Sequence, residues 1–157
     1  MIFKKIITYP DPILLAIAQP VEEINPEIRD ILDEMTHIMN ISDGIGLAAP
    51  QIGISKRLIT VGLNGRLYQL INPNIGWKGG IQTNIEGCLS LPNQEYEVTR
   101  AREVVVVGIN TDNKPVTLLV DGLLACVFQH EIDHLDGELI NASGTFVSSD
   151  EMKQAKN

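Results

Sequence analysis

Asp121-Gly122-Leu123-Leu124-Ala125-Cys126-Val127-Phe128-Gln129-His130-Glu131-Ile132-Asp133-His134-Leu135-Asp136-Gly137 anchors the reading of the chain. Leu123, Cys126, Val127, His130 and His134 recur at spacings of one, three and four, the period of a helix, until Gly137 supplies a stop. Both histidines therefore continue an apolar stripe, and a histidine on a buried face needs a polar partner. Four residues apart on one face, the two imidazoles can hold one divalent ion, and Glu131 beside the first of them reaches the water on that ion. Such an arrangement suits metal-assisted hydrolysis of an amide.

The motif alone leaves other readings open, because many helices match five positions of which three are fixed. In the plainest of them His130 is a core imidazole bonded to a backbone carbonyl. His134 is then a wet side chain at the helix end, where a cation favours the dipole. The longer pattern HExxHxxGxxH is matched through Gly137 but has Ile140 in place of its last histidine, which removes that protease subclass. Glu138 and Glu151 stand downstream as candidate third ligands, on a tail that is short and polar. Upstream, Cys88 within Glu86-Gly87-Cys88-Leu89-Ser90 offers a thiolate that would leave a fourth position open, as in catalytic zinc sites.

Composition narrows the class. A chain of 157 residues fits one domain that can bury a core without disulfides or a structural metal, so any metal is there for chemistry. Hydrophobic residues make up 44% and no apolar run nears the roughly 18 residues of a membrane span. The start, Met1-Ile2-Phe3-Lys4-Lys5-Ile6-Ile7, is broken by Tyr9-Pro10-Asp11-Pro12 before a secretory segment can form. A reducing compartment follows, in which Cys88 and Cys126 remain thiols. A net charge of −8 argues against a broad surface for nucleic acid.

Working back along the chain, Asn25-Pro26-Glu27 reads as a cap, a first-turn proline and an early acid. Ile28, Ile31, Leu32, Met35, Ile38 and Met39 then trace an amphipathic helix that ends before Asp43-Gly44. His37 on that helix is a surface residue rather than a ligand. Arg57 to Leu63, Leu67 to Ile71, Val104 to Ile109 and Val116 to Val120 read as antiparallel strands, the last two joined by a turn at 110–114. From Ala142 onward a polar loop is expected, with a short helix near Asp150 to Ala155. Gly44-Ile45-Gly46-Leu47-Ala48-Ala49-Pro50-Gln51 is too rich in Gly and Pro for a regular element, and by itself also fits a tight turn with an exposed Gln.

Three segments in this order, the Gly-rich loop ending in Gln51, the loop around Cys88 and the helix of His130 and His134 preceded by Gln129, resemble the peptide deformylase family. The resemblance extends to Pro20-Val21, Ile71-Asn72-Pro73, Arg100-Ala101 and Asp121 to Ala125. It implies an α+β fold, small antiparallel or mixed β-sheets packed around a central metal-binding helix with the amphipathic helix ahead of it. Residues 1–157 form a single domain whose last stretch, 142–157, is a short polar tail.

The resemblance further implies that Cys88, His130 and His134 bind the metal, Fe(II) first and Zn(II), Ni(II) or Co(II) as alternatives. Glu131 is then the general acid and base in removing formate from N-formylmethionyl peptides, and the Gln51 amide and Leu89 N–H receive the oxyanion. Gly46 pairs with the extended substrate, and Ile45, Leu123, Cys126 and Val127 line the methionine slot, although Leu123 and Val127 fit plain core equally well by period. Glu86 or Asp133 can orient a ligating imidazole, with Asp133 also a partner for Arg100. The chain ends twenty residues past Gly137, like the short forms known from phage, which puts docking on the ribosome through a long final helix in doubt. Expected partners are the formylated peptide and at most a transient ribosome contact, for a cytoplasmic monomer in a bacterium or a phage-infected host. Glu95 and Glu97 stand where many relatives carry Arg or an aromatic residue at the substrate rim. A zincin-type endopeptidase, with Cys88 dispensable and Glu151 essential, and a non-catalytic metal- or peptide-binding module are the competing functions.

Overall fold

The computed structural model describes residues 4–149. The first long helix begins where the sequence marks it: the Asn25 side chain accepts from the Ile28 N–H at 3.1 Å, and α1 runs Pro26–Ile41. Ile28, Leu32, Met35, Ile38 and Met39 are buried along one face, against Leu47, Ala49, Ile52, Leu58 and Ile71. Asp43 then takes a left-handed conformation, φ 55°, and the Gly44 N–H donates to the Met39 carbonyl at 2.9 Å, which turns the chain into its Gly-rich segment.

Among the described residues two antiparallel sheets follow. The larger has the order β1-β2-β3-β6-β7, from β1 (Gly46–Ala48), β2 (Leu58–Leu63), β3 (Arg66–Gly79), β6 (Glu103–Ile109) and β7 (Pro115–Asp121). Asn64-Gly65, both with positive φ, close the β2–β3 hairpin, as its right-handed twist requires. The four expected strands are all in this sheet, but β3 runs well past Ile71, through register shifts near Asn72-Pro73 and Gly76. The smaller sheet, in the order β4-β5-β8, pairs β4 (Gln82–Cys88) with β5 (Leu91–Arg100) and β5 with β8 (Thr145–Ser149).

Three expectations differ from the structure, the first being the Gly-rich segment, which is regular: β1 forms at Gly46–Ala48 and a 3-10 turn at Ala49–Ile52. The segment around Cys88 is no free loop, because Cys88 is the last residue of a strand. Its chain gives no apolar alternation, since Gln82, Asn84 and Glu86 occupy the alternate positions. The stretch from Ala142 is likewise not all loop: α3 spans Ile140–Ser143 and β8 follows. Thr145–Ser149 is held by main-chain pairing to the open edge of β5 and by Phe146 set edge-on to Tyr96, 5.7 Å between ring centres, rather than by burial. The helix expected at Asp150 to Ala155, and Glu151, lie outside the described residues.

α2 (Gly122–Leu135) packs Ala125, Val127, Phe128, Ile132 and Leu135 against Ile59, Val61, Leu70, Val104 and Val106 of the large sheet. Gly137 ends it at φ 75°, and a Cβ there would come within 2.6 Å of the Leu15 carbonyl oxygen. Only glycine fits a position that is both left-handed and pressed on backbone. No described helix is long and apolar enough to cross a membrane.

Candidate metal centre

The end of β4 meets the middle of α2. Cys88 Sγ lies 3.4 Å from His134 Nε2, and the ligand atoms of Cys88, His130 and His134 all lie within 4.8 Å of one another. No other such group of three is found among the described residues, so Glu138 does not join it. Both cysteines are free, and Cys88 has no disulfide to Cys126.

His130 and the turn after Cys88 are fixed from behind, whereas His134 Nδ1 is buried without a hydrogen-bond partner. His130 Nδ1 stands 2.8 Å from Glu86 Oε1, which leaves Nε2 turned away from that carboxylate. Glu86 also accepts two bonds from Arg100, at 2.7 Å from Nε and 3.0 Å from Nη2, and Arg100 Nη1 reaches Asp133 Oδ2 at 2.9 Å. Both carboxylates considered for the imidazole thus meet at Arg100, and Glu86 is the one that touches His130. Ser90 anchors the turn after Cys88 by donating to the Ile7 carbonyl at 2.7 Å and accepting from Gln51 Nε2 at 3.1 Å. Gln51 is buried, not exposed: its oxygen accepts from the Ala48 N–H at 3.0 Å and its Nε2 also lies 3.7 Å from Cys88 Sγ.

Electrostatics divides the site into contrasting groups. Burial raises the Glu131 carboxyl to about 7, only partly opposed by His130 and Arg100. Burial works against a charged His130 but is outweighed by Glu131, Cys88 and Glu86, which hold that imidazole well above its usual range. For His134 burial dominates, with repulsion from His130 and Arg100, and keeps it well below, as the neutral imidazole that a cation requires. Burial also disfavours the Glu86 carboxylate, yet its bonds from His130 and Arg100 keep it below the ordinary range.

A cavity of about 640 Å³ opens onto these groups. Ile45, Gly46, Gln51, Cys88, Leu89, Leu123, Cys126, Val127, His130 and Glu131 all border it, whereas His134 lies behind, 1% exposed. Ile45, Ile85 and Leu123 are exposed at its mouth, and Cys126 and Val127 are buried deeper. Ile85 has no counterpart in the sequence reading, because nothing local marks 82–88 as a strand that borders the cavity. Gly46 owes its identity to Glu131: a Cβ at 46 would strike the carboxylate, 2.9 Å from both its Cγ and Cδ.

The donor set fits a divalent cation. A thiolate and two imidazoles suit Fe(II) and Zn(II) equally, and Glu131 Oε1 and His134 Nδ1 are buried beside them without a hydrogen-bond partner. A buried, unpaired carboxylate oxygen costs roughly 1–3 kcal/mol unless something polar answers it.

The polypeptide deformylase family model matches residues 3–144. The chain belongs to this family. A peptide deformylase of Carboxydothermus hydrogenoformans is 48% identical over 135 residues, covering 86% of this chain and 89% of the relative. Peptide deformylase 1 of Bacillus subtilis is 44% identical over 155 residues, 97% of either chain. The crystal structure of the Thermotoga maritima peptide deformylase superposes with a TM-score of 0.89 at 35% identity, over 91% of this chain and 98% of that one. The α+β fold and the family suggested by the three segments are thereby borne out. The protein is a metal-dependent hydrolase that removes the N-formyl group from nascent peptides.

Proposed function

We propose that Cys88, His130 and His134 hold the catalytic cation, Fe(II) before Zn(II), Ni(II) or Co(II), and that Glu131 moves the protons of formyl hydrolysis. The observation that carries this reading is the convergence of sulfur and two ring nitrogens within 4.8 Å beside an unpartnered, buried carboxylate oxygen. When bound, the cation acts as a Lewis acid, acidifying water and polarising the formyl oxygen. Glu131 accepts the proton of the attacking water and passes it to the departing amine nitrogen. The Gln51 amide, held by its bonds to Ala48 and Ser90, and the Leu89 backbone N–H donate to the oxyanion. Gly46, on the outer edge of the large sheet, pairs with the extended substrate, and Ile45, Leu123, Cys126 and Val127 enclose the methionine side chain.

Residues 1–157 act as one catalytic domain and as a cytoplasmic monomer, on N-formylmethionyl chains close to the ribosome. Formate release from formyl-Met-Ala-Ser by anaerobically purified, metal-analysed protein tests the assignment, with Glu131→Ala and Cys88→Ala alongside. Both variants should lose release, Cys88→Ala together with its metal. Full activity in either one removes the role given to that residue, and casein cleavage that survives Cys88→Ala favours an endopeptidase.

A further inference from the structure

We infer that β4 sets the geometry of the metal ligands through a ladder of polar side chains on α2, and that Gln82 and Asn84, neither of which borders the cavity, are positioning residues for the site. The rungs climb both elements in the same direction. Gln82 Nε2 donates to the Gly122 carbonyl at 2.9 Å, and Asn84 Nδ2 points at Cys126 Sγ at 3.5 Å. Glu86 Oε1 meets His130 Nδ1 at 2.8 Å, and Cys88 Sγ meets His134 Nε2 at 3.4 Å. Residues 82, 84, 86 and 88 thus face 122, 126, 130 and 134.

The register has a geometric basis. Two residues of strand advance about 6.6 Å and four of helix about 6.0 Å, so alternate strand positions keep step with successive helix turns. The mismatch reaches about 2 Å over three steps. Between Glu86 and Cys88 the β4–β5 register shifts, at exposed Gly87, where slack of that size can be taken up. Further bonds tie the rungs to one another and to their surroundings: Asn84 Nδ2 donates to Gln82 Oε1 at 3.2 Å, and Gln82 Nε2 to the Ala101 carbonyl at 3.1 Å.

This ladder is the direct contact of β4 with α2; β5 adds Arg100 on Asp133 and the Ala101 backbone on Gln129. β4 is an edge strand paired only with β5, and no apolar side chain stands at 82, 84 or 86 to pack on the helix. A slip of one rung would set Cys88 against His130 and Glu86 against Cys126, with no thiolate left for His134. Glu86 opposes that slip because against the Cys126 thiol its carboxylate would lose His130, and Gln82 and Asn84 oppose it because their bonds to Gly122 and Cys126 would be broken.

The inference rests on the metal reading above, and its test keeps the two apart. Holoenzyme variants Gln82→Ala, Asn84→Ala and Glu86→Ala are compared with Gln69→Ala, which breaks bonds to Asp33 and Thr36 on α1. Three readouts are taken: metal release into a chelator, the thiolate-to-metal absorption band of the Co(II)-substituted protein, and thermal unfolding of the metal-free protein. Loss of a direct neighbour such as Glu86 should speed release about ten- to a hundredfold, Asn84→Ala about three- to tenfold and Gln82→Ala less. Asn84→Ala should shift the Co(II) band as well, while Gln69→Ala alters unfolding alone. Release and band unchanged in Asn84→Ala, with fast release from Cys88→Ala, overturn the ladder and leave the ligands standing. Equal release from wild type and Cys88→Ala overturns the ligand assignment and the ladder with it.

Discussion

α1 and α2 follow the same 3.6-residue period, but α1 buries only Ile28, Leu32, Met35, Ile38 and Met39, whereas α2 carries Gln129, Glu131 and His134 inside along with its apolar residues. Of these three, Gln129 is fully answered, by Ala101 on both sides of its amide and by the Ala125 carbonyl. Glu131 and His134 each keep an unpartnered buried atom. One helix is therefore optimised for stability and the other gives some of it up. Glu131 borders the cavity, and His134 is one of the clustered sulfur and nitrogen donors.

Substitutions should expose this division. The largest effect is expected on α2: Glu131→Gln should lower kcat/KM by about 10²–10⁴-fold in the metal-loaded enzyme. The metal-free variant should unfold at a temperature no lower than wild type. A drop in stability instead would mean that α2 is as stability-driven as α1. Next comes the mirror experiment on α1, where Met35→Ala should cost about 2–5 kcal/mol in denaturant titration and leave kcat/KM per folded molecule unchanged.

A smaller and pH-dependent effect sharpens the same contrast. Glu131 titrates at about 7 in the folded metal-free chain against an ordinary 4.5, so its favourable share of stability is complete below 4.5 and is lost as pH rises through 7. Metal-free wild type should therefore lose up to about 3 kcal/mol relative to Glu131→Gln across that window. Parallel stability curves for the two proteins would place the acid in a wetter setting than its burial implies. The smallest change is at the start of α1: Asn25→Ala removes the bond to the Ile28 N–H and should cost about 1 kcal/mol, read as a lower unfolding midpoint with activity intact.

How much could be read beforehand varies sharply between elements. α1 was legible to within a residue or two at each end because its cap, its period and its stop are all local. α2 is legible from its period and its stop at Gly137 without a side-chain cap, and the pairing of His130 with His134 follows from their four-residue spacing alone. Four strands of the large sheet are legible where branched residues cluster, as in Val104 to Ile109, whereas β1 hides in a Gly-rich stretch. β4, β5 and β8 are not, because their positions are mostly polar or charged and their order comes from pairing with distant chain. Family resemblance points to the cavity residues Ile45, Leu123, Cys126 and Val127, while Ile85 emerges only from the tertiary structure.

Local chemistry in the sequence determined the two helices, the turn at 110–114, and which residue types could hold a cation or move a proton. Tertiary structure alone decided that the sulfur of residue 88 stands beside rings 42 and 46 positions further on, that Glu86 rather than Asp133 touches His130, and that the carboxyl of Glu131 sits where burial raises it to about 7. The reason is physical. Helix periods and caps are set by neighbours within four residues, whereas desolvation, a strand edge and a polar ladder exist only after distant segments have been brought together.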